Sequence, residues 1–304
     1  TFSKCSSLTS ITIPEGVTSI GNSAFYGCSS LQSVVIPEGV TSIGDSAFYG
    51  CSSLQSVVIP EGVTSIEDDT FSKCSSLTSI TIPEGVTSIG DYAFYYCTNL
   101  QTVFIPESVQ KIGKYAFYGC SSIKFIDLPK NLTEIEDYAF YGCTSLETVT
   151  LPDNLVSIGK YAFYDCDALT EVYSYNETAP VLGTDAFANI NENATLYYPA
   201  SSEQSYDENG WFNYFPQHIG FDGKCGDNLY WNVTNNTLTI FGTGAMEDYD
   251  NIDNKAPWRS LNPAPKSLVL EEGITYIGNY AFYDCKGFTS SLTIPNSVTT
   301  IGKH

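Results

Sequence analysis

The chain has 304 residues, with 13 Lys and Arg against 34 Asp and Glu and a formal net charge of −21 at pH 7. Phosphate backbones are held by cationic surfaces, so this balance argues against nucleic acid as a partner. No run of about 18 apolar residues exists to cross a bilayer, so no membrane insertion is expected of this stretch.

From its first residues the chain repeats. Cys5, Cys28, Cys51, Cys74, Cys97, Cys120, Cys143 and Cys166 lie 23 residues apart without an insertion. In the copy spanning 31–53, Leu31, Val34, Ile36, Val40, Ile43, Ala47 and Phe48 keep step with the cysteine. The template L-x-x-[IV]-x-[IL]-P-x-x-[VL]-x-x-I-x-x-x-[AT]-F-x-x-C runs from 8 to 167 in seven full copies. A fixed period of this kind predicts a solenoid, because no copy buries its apolar face alone and the stack buries it collectively.

Each copy reads as a short strand over L-x-x-[IV]-x-[IL], a proline that ends it, a turn at Glu-Gly, a second extended piece over V-T-S-I-G, and a helical turn around A-F-x-x-C. Alternation places Val34 and Ile36 inward and Ser33 and Val35 outward. Proline lacks an N–H and is tolerated at the end of a strand, as at Pro37. Ser108, Asn131 and Asn154 take the place of Gly39 in later copies, so that turn does not demand a glycine-only angle.

The string IPEGVTSIGDSAFYGC at 36–51 closely resembles the leucine-rich repeat of the BspA-like family of microbial cell-surface proteins. The resemblance implies an α/β repeat solenoid, a right-handed leucine-rich-repeat array with a parallel β-sheet and a C-terminal cap. It also implies an extracellular or cell-surface, non-enzymatic binding protein without a cofactor, with adhesion to host, matrix or neighbouring-cell ligands as the expected role. It names no ligand.

Stacking converts the periodic residues into ladders. The cysteines would lie about 4.8 Å apart along one. An extracellular setting raises disulfides, yet ladder side chains point in parallel and hold their Cβ atoms further apart than the ~3.8 Å a bridge wants. Buried thiols acting as small hydrophobes are the expectation. Only His218 and His304 are present and no C-x-x-C occurs, so neither a zinc site nor a cysteine nucleophile is expected. Two tyrosine rows, Tyr26, Tyr49, Tyr95, Tyr118, Tyr141, Tyr164 and Tyr92, Tyr115, Tyr138, Tyr161, read as packing between copies or as a contact surface.

The copies differ where the strand faces outward. One row reads Thr12, Val35, Val58, Thr81, Phe104, Asp127, Thr150, Tyr173, and its neighbour Ser10, Ser33, Ser56, Ser79, Thr102, Phe125, Thr148, Glu171. The rows begin small and then diversify. Phe104, Phe125, Asp127, Thr148, Thr150, Glu171 and Tyr173 are therefore the candidate ligand-binding residues on a concave sheet.

After Cys166 the array, residues 1–168, gives way to a degenerate copy and cap over 169–221. Leu196, Tyr197, Pro199 and Trp211 match the L-Y-x-P segment and late tryptophan that close such arrays in the family. Residues 222–265 read as a small β-hairpin module, with strands near 229–233 and 237–241 about Asn235-Asn236. Its string C-G-D-N-L-Y-W-N-V with Trp258 resembles the module that introduces an array in the family. The template resumes over 266–304 with Glu271 in place of the proline, opening a second array. The chain starts on the tail of one copy and stops inside another, so it reads as a piece of a longer protein.

Two motifs are weighed and set aside. Gly242 and Gly244 lack the lysine and helix start of a phosphate loop. The acidic run 247–253 lacks the sixth-position glycine and twelfth-position glutamate of a calcium loop. The functional readings are a protein- or glycan-binding module, a rigid spacer that displays other domains, and, most remotely, a carbohydrate-active enzyme fragment using Trp211, Tyr214 and Asp207.

Overall fold

The computed structural model describes all 304 residues. It divides into two compact units, one of residues 1–198 and 202–218 and the other of residues 199–201 and 219–304.

In the first unit each 23-residue copy makes one turn of a coil with three sides. The first side is the strand L-x-x-[IV]-x-[IL], and the strands of successive turns pair in parallel one period apart. Ser10–Thr12 lies on Ser33–Val35, Ser79–Thr81 on Thr102–Phe104, and Phe125–Asp127, Thr148–Leu151, Glu171–Ser174 and Thr195–Pro199 follow in one ladder. A single bridge, Ser33 to Ser56, joins the turn at 54–60 to this side. The second side is a ladder of two-residue strands from V-T-S-I-G, such as Ser88–Ile89 on Lys111–Ile112 and Glu134–Ile135 on Ser157–Ile158.

The third side is not the helical turn read from A-F-x-x-C. Tyr115 (φ 58°) and Gly119 (φ 69°) both stand in the left-handed region, and so do their equivalents in other copies. That conformation turns alternate N–H groups toward the next copy. Tyr115 donates to Asp137 O at 3.1 Å, Phe117 to Ala139 O at 2.8 Å and Gly119 to Tyr141 O at 2.7 Å. Inter-turn hydrogen bonds thus take the donors a helix would have used, and all three sides are stitched along the axis.

Between the sides lies one continuous core. Leu100, Val109, Ile112, Ala116, Phe117 and Cys120 are fully buried, and the equivalent residues of neighbouring turns join them. The phenylalanines form a column with ring centroids 5.0–5.6 Å apart from Phe2 to Phe187. Burying each such side chain is worth about 1.5–3 kcal/mol. The column ends on Trp211 and Phe215, whose rings lie 5.4 and 5.1 Å from Phe187. Around this end the helix Glu203–Glu208 and the 3-10 turn Trp211–Asn213 close the core.

The second unit opens on an antiparallel hairpin, Gly223–Thr234 with Thr237–Met246, longer than the sequence suggests. Asn235 (φ 52°) and Asn236 (φ 63°) form its turn, the left-handed pair that a tight hairpin requires. Residues 237–240 then pair in parallel with Ser267–Leu270, so the hairpin serves as the first turn on which the resumed template stacks. Trp258 completes that turn, its ring 5.5 Å from Phe282 and its Nε1 donating to Ala281 O at 2.8 Å.

Candidate interaction surface

The candidate residues lie on the outward face of the first ladder. Register sets Phe125 beside Thr148 and Thr148 beside Glu171, and sets Asp127 beside Thr150 and Thr150 beside Tyr173. Phe104 holds the same place as Asp127 one turn earlier. Phe104 and Phe125 expose 55% and 60% of their surface, and Asp127 is exposed as well. Thr148, Thr150 and Glu171 are half-buried.

Tyr173 departs from the expected outward exposure and is buried, at 8%. Its ring stacks on Tyr197 at 4.5 Å and its hydroxyl donates to Glu171 Oε2 at 3.2 Å. The residue occupies an outward position in the pleat, but the aromatic on the following strand covers it. The open part of the patch is thus Phe104, Phe125 and Asp127.

Two further members of the same row, valines flanked by Thr12 and Thr81, are open as well. Val35 and Val58 expose 61% and 74% of their surface. Beside Val58, where the ladder narrows to one bridge, a groove of about 270 Å³ is lined by Val58, Ile59, Glu61, Thr81 and Pro83. The signal was available in the alternation rule, which puts any residue two places from Ser33 on the outer face.

The tyrosine rows are packing. Tyr92, Tyr115, Tyr138 and Tyr161 stack at 4.6–5.1 Å, and Tyr95, Tyr118, Tyr141 and Tyr164 at 4.5–5.1 Å. Ring faces are spent on one another, leaving edges and hydroxyls to solvent.

The cysteines line the core behind this side. From Cys28 to Cys166 each thiol donates to the carbonyl of the phenylalanine in the preceding copy, as from Cys97 Sγ to Phe71 O at 3.1 Å and from Cys120 Sγ to Phe94 O at 3.1 Å, while Cys5 is exposed. Desolvation pushes the Cys97 and Cys143 thiols up to about 12. A thiol held neutral in this way is a poor nucleophile and a poor metal ligand at neutral pH.

The three residues named with the enzyme reading differ in exposure. Trp211 is fully buried with its Nε1 on Pro180 O at 2.9 Å, while Asp207 is exposed and Tyr214 half-buried. The acidic run of the second unit works on backbone. Asp248 Oδ1 accepts from Tyr276 Oη at 2.7 Å and from the Asn279 N–H at 2.8 Å. Asp250 Oδ1 accepts the N–H groups of Ile252, Asp253 and Asn254 at 2.7–3.0 Å. No group of three or more His, Cys, Asp or Glu is placed to hold a metal ion, and no helix is long and apolar enough to cross a membrane.

A coil of 23-residue turns with parallel ladders, a phenylalanine column and a capped end defines a leucine-rich-repeat scaffold. The family model described as BspA type Leucine rich repeat region, in six copies, matches residues 1–124, 87–209 and 262–304, and the chain belongs to that family. Among solved structures the chain is similar to a leucine-rich repeat protein from Bacteroides ovatus ATCC 8483, at 24% identity over 97% of this chain and 83% of that one, with a TM-score of 0.45. It is similar to the leucine rich repeat protein of T. pallidum at 29% identity, over 66% of this chain and 83% of that one, TM-score 0.47. A leucine rich cell surface protein from Faecalibacterium prausnitzii A2-165 is 29% identical over 97% of this chain, which spans 57% of that protein, with a TM-score of 0.41. No curated protein matches the chain.

Proposed function

We propose that the chain is a non-enzymatic interaction module of a secreted or surface-attached protein, which binds a protein or glycan ligand on a host, matrix or neighbouring cell through the open face of the first ladder. The observation that carries this reading is the exposure of Phe104 and Phe125, 55% and 60%, on a face that also leaves Val35 and Val58 open among serines and threonines. Large aromatics left in water on a rigid sheet cost free energy that a partner recovers by covering them. The scaffold suits the task, since stacked turns hold their outward residues in fixed register and little ordering entropy is lost on binding.

Binding of the chain to an array of matrix proteins and glycans, beside a Phe104→Ser, Phe125→Ser, Asp127→Ser variant, tests the reading. A ligand retained by the wild type and lost by the variant is expected. If nothing binds while both proteins are folded, the scaffold is a spacer that displays other domains.

A further inference from the structure

The exposed row Val35, Val58, Thr81, Phe104, apolar except at Thr81, runs beside a second row that the strand turn generates, Glu38, Glu61 and Glu84, one carboxylate per turn and all exposed. Lys73 is the one cation between Lys4 and Lys111, and its Nζ lies over the Tyr49 ring at 5.0 Å, so Glu38, Glu61 and Glu84 make no ion pair within the chain. Lys111, Lys114 and Lys124 pair further along the coil with Glu136, Asp137 and Glu147. The two rows share a concavity, because Val58 and Glu61 line the same groove of about 270 Å³.

We propose that this face seats a basic amphipathic α-helix of a protein partner, lying along the stacking axis with its apolar stripe on Val35, Val58 and Phe104 and its cations over Glu38, Glu61 and Glu84. The proposal rests on the reading of the first-ladder face as the interaction surface and states what that surface takes. Its first ground is charge. Carboxylates stacked about 4.8 Å apart repel one another, and a cationic stripe along them relieves that repulsion while the net charge of −21 draws the partner in.

The second ground is spacing. An α-helix advances about 5.4 Å per turn against about 4.8 Å per coil turn, a drift of roughly 2 Å over four turns that lysine and glutamate side chains absorb. An extended segment presents same-side residues about 6.6 Å apart and falls out of step within two turns. The third ground is width. Glu38 and Glu61 follow Val35 and Val58, and Glu84 follows Thr81, each by three residues, at most about 11 Å of chain, and a helix with side chains is about 10–12 Å across. A helix resting on the apolar row therefore has its flank over the acidic row.

The probe is a 20-residue helical peptide with leucines on one stripe and lysines on the adjacent one, compared with a scrambled peptide of the same composition, titrated against the full chain at about 0.15 M salt. The amphipathic peptide is expected to bind at least tenfold more tightly than the scrambled one. Glu38→Gln, Glu61→Gln, Glu84→Gln together, and Val35→Ser, Val58→Ser, Phe104→Ser together, should each weaken it tenfold or more. Neutralising Glu203, Asp207 and Glu208 in the cap should change it less than twofold. Unchanged circular dichroism would show that these surface variants fold. Equal binding of the scrambled peptide, or an equal loss from the cap variant, would reduce the effect to net charge and overturn the proposal. If matrix ligands still require Phe104, Phe125 and Asp127 while the peptides show no preference, the helix fails and the surface stands; if neither assay depends on this face, both fail.

Discussion

The cysteine of each copy illustrates how one residue serves two ends. Its side chain fills the core beside the phenylalanine column, and its Sγ–H gives the carbonyl of the preceding copy a second donor, as Cys51 does to Phe25 O at 3.2 Å. Serine offers the same hydrogen bond at a desolvation cost that sulfur avoids. The thiol values give this arrangement a pH signature. Below an ordinary thiol value of about 8.5 the folded and unfolded chains both keep the proton, and the stability is fully present. As pH rises from there toward about 12, where Cys97 and Cys143 titrate in the fold, only the unfolded chain loses its proton. Stability should then fall by up to about 1.4 kcal/mol per pH unit for each such thiol. Burial raises the Cys51, Cys74, Cys120 and Cys166 thiols in the same way, so urea unfolding at pH 7 and 9.5 should show Cys97→Ala, Cys143→Ala losing less stability than the wild type by up to about 1.4 kcal/mol for each thiol removed; equal losses would assign the alkaline effect elsewhere.

At the scale of the element, the cap decides whether the column has an end. Trp211 covers Phe187, and Tyr206 fixes the covering helix through its hydroxyl on Ser174 Oγ at 2.6 Å and on Asn176 O at 3.2 Å. Asn176 in turn donates to Asp153 O and Leu155 O, both at 2.8 Å, tying the cap to the turn before it. Trp211→Phe keeps most of the buried area and removes one hydrogen bond, leaving Pro180 O without that donor. Denaturant unfolding should report a loss of about 1–3 kcal/mol; a loss under about 0.5 kcal/mol would show that this carbonyl finds another donor. The hairpin of the second unit plays the opposite part. Thr237–Ile240 supplies the strand, Trp258 the aromatic and Asp248 the carboxylate that a preceding copy would provide, as Asp91 Oδ1 does for the Lys114 N–H at 2.8 Å in the first unit.

Over the whole chain, stability is a sum of nearest-neighbour interfaces carrying a net charge of −21. Three inter-turn ion pairs at 3.3–3.7 Å join exposed lysines to half-buried carboxylates at the surface and contribute little. Self-repulsion is the larger electrostatic effect, and salt screens it over a Debye length of about 10 Å at 0.1 M. The thermal midpoint should therefore rise between about 10 and 200 mM sodium chloride. A midpoint that falls would mean that the ion pairs outweigh the repulsion.

The sequence by itself determined the period, the turn of the coil and the side each residue faces, because a fixed 23-residue repeat leaves stacking as the way to bury Leu31, Val40 and Phe48 together. It also marked Phe104, Phe125 and Asp127 as outward, since alternation in a strand is a local rule. Tertiary structure alone decided what local rules do not carry. Tyr115 at φ 58° is unfavourable in isolation and is held by an inter-turn hydrogen bond to Asp137 O, so the third side became a stitched row of turns. Tyr173 left the surface because the strand at Thr195–Pro199 brought Tyr197 against it, 24 residues away in the chain. The groove at Val58 and Glu61 likewise exists only between neighbouring turns, where the first ladder narrows to a single bridge.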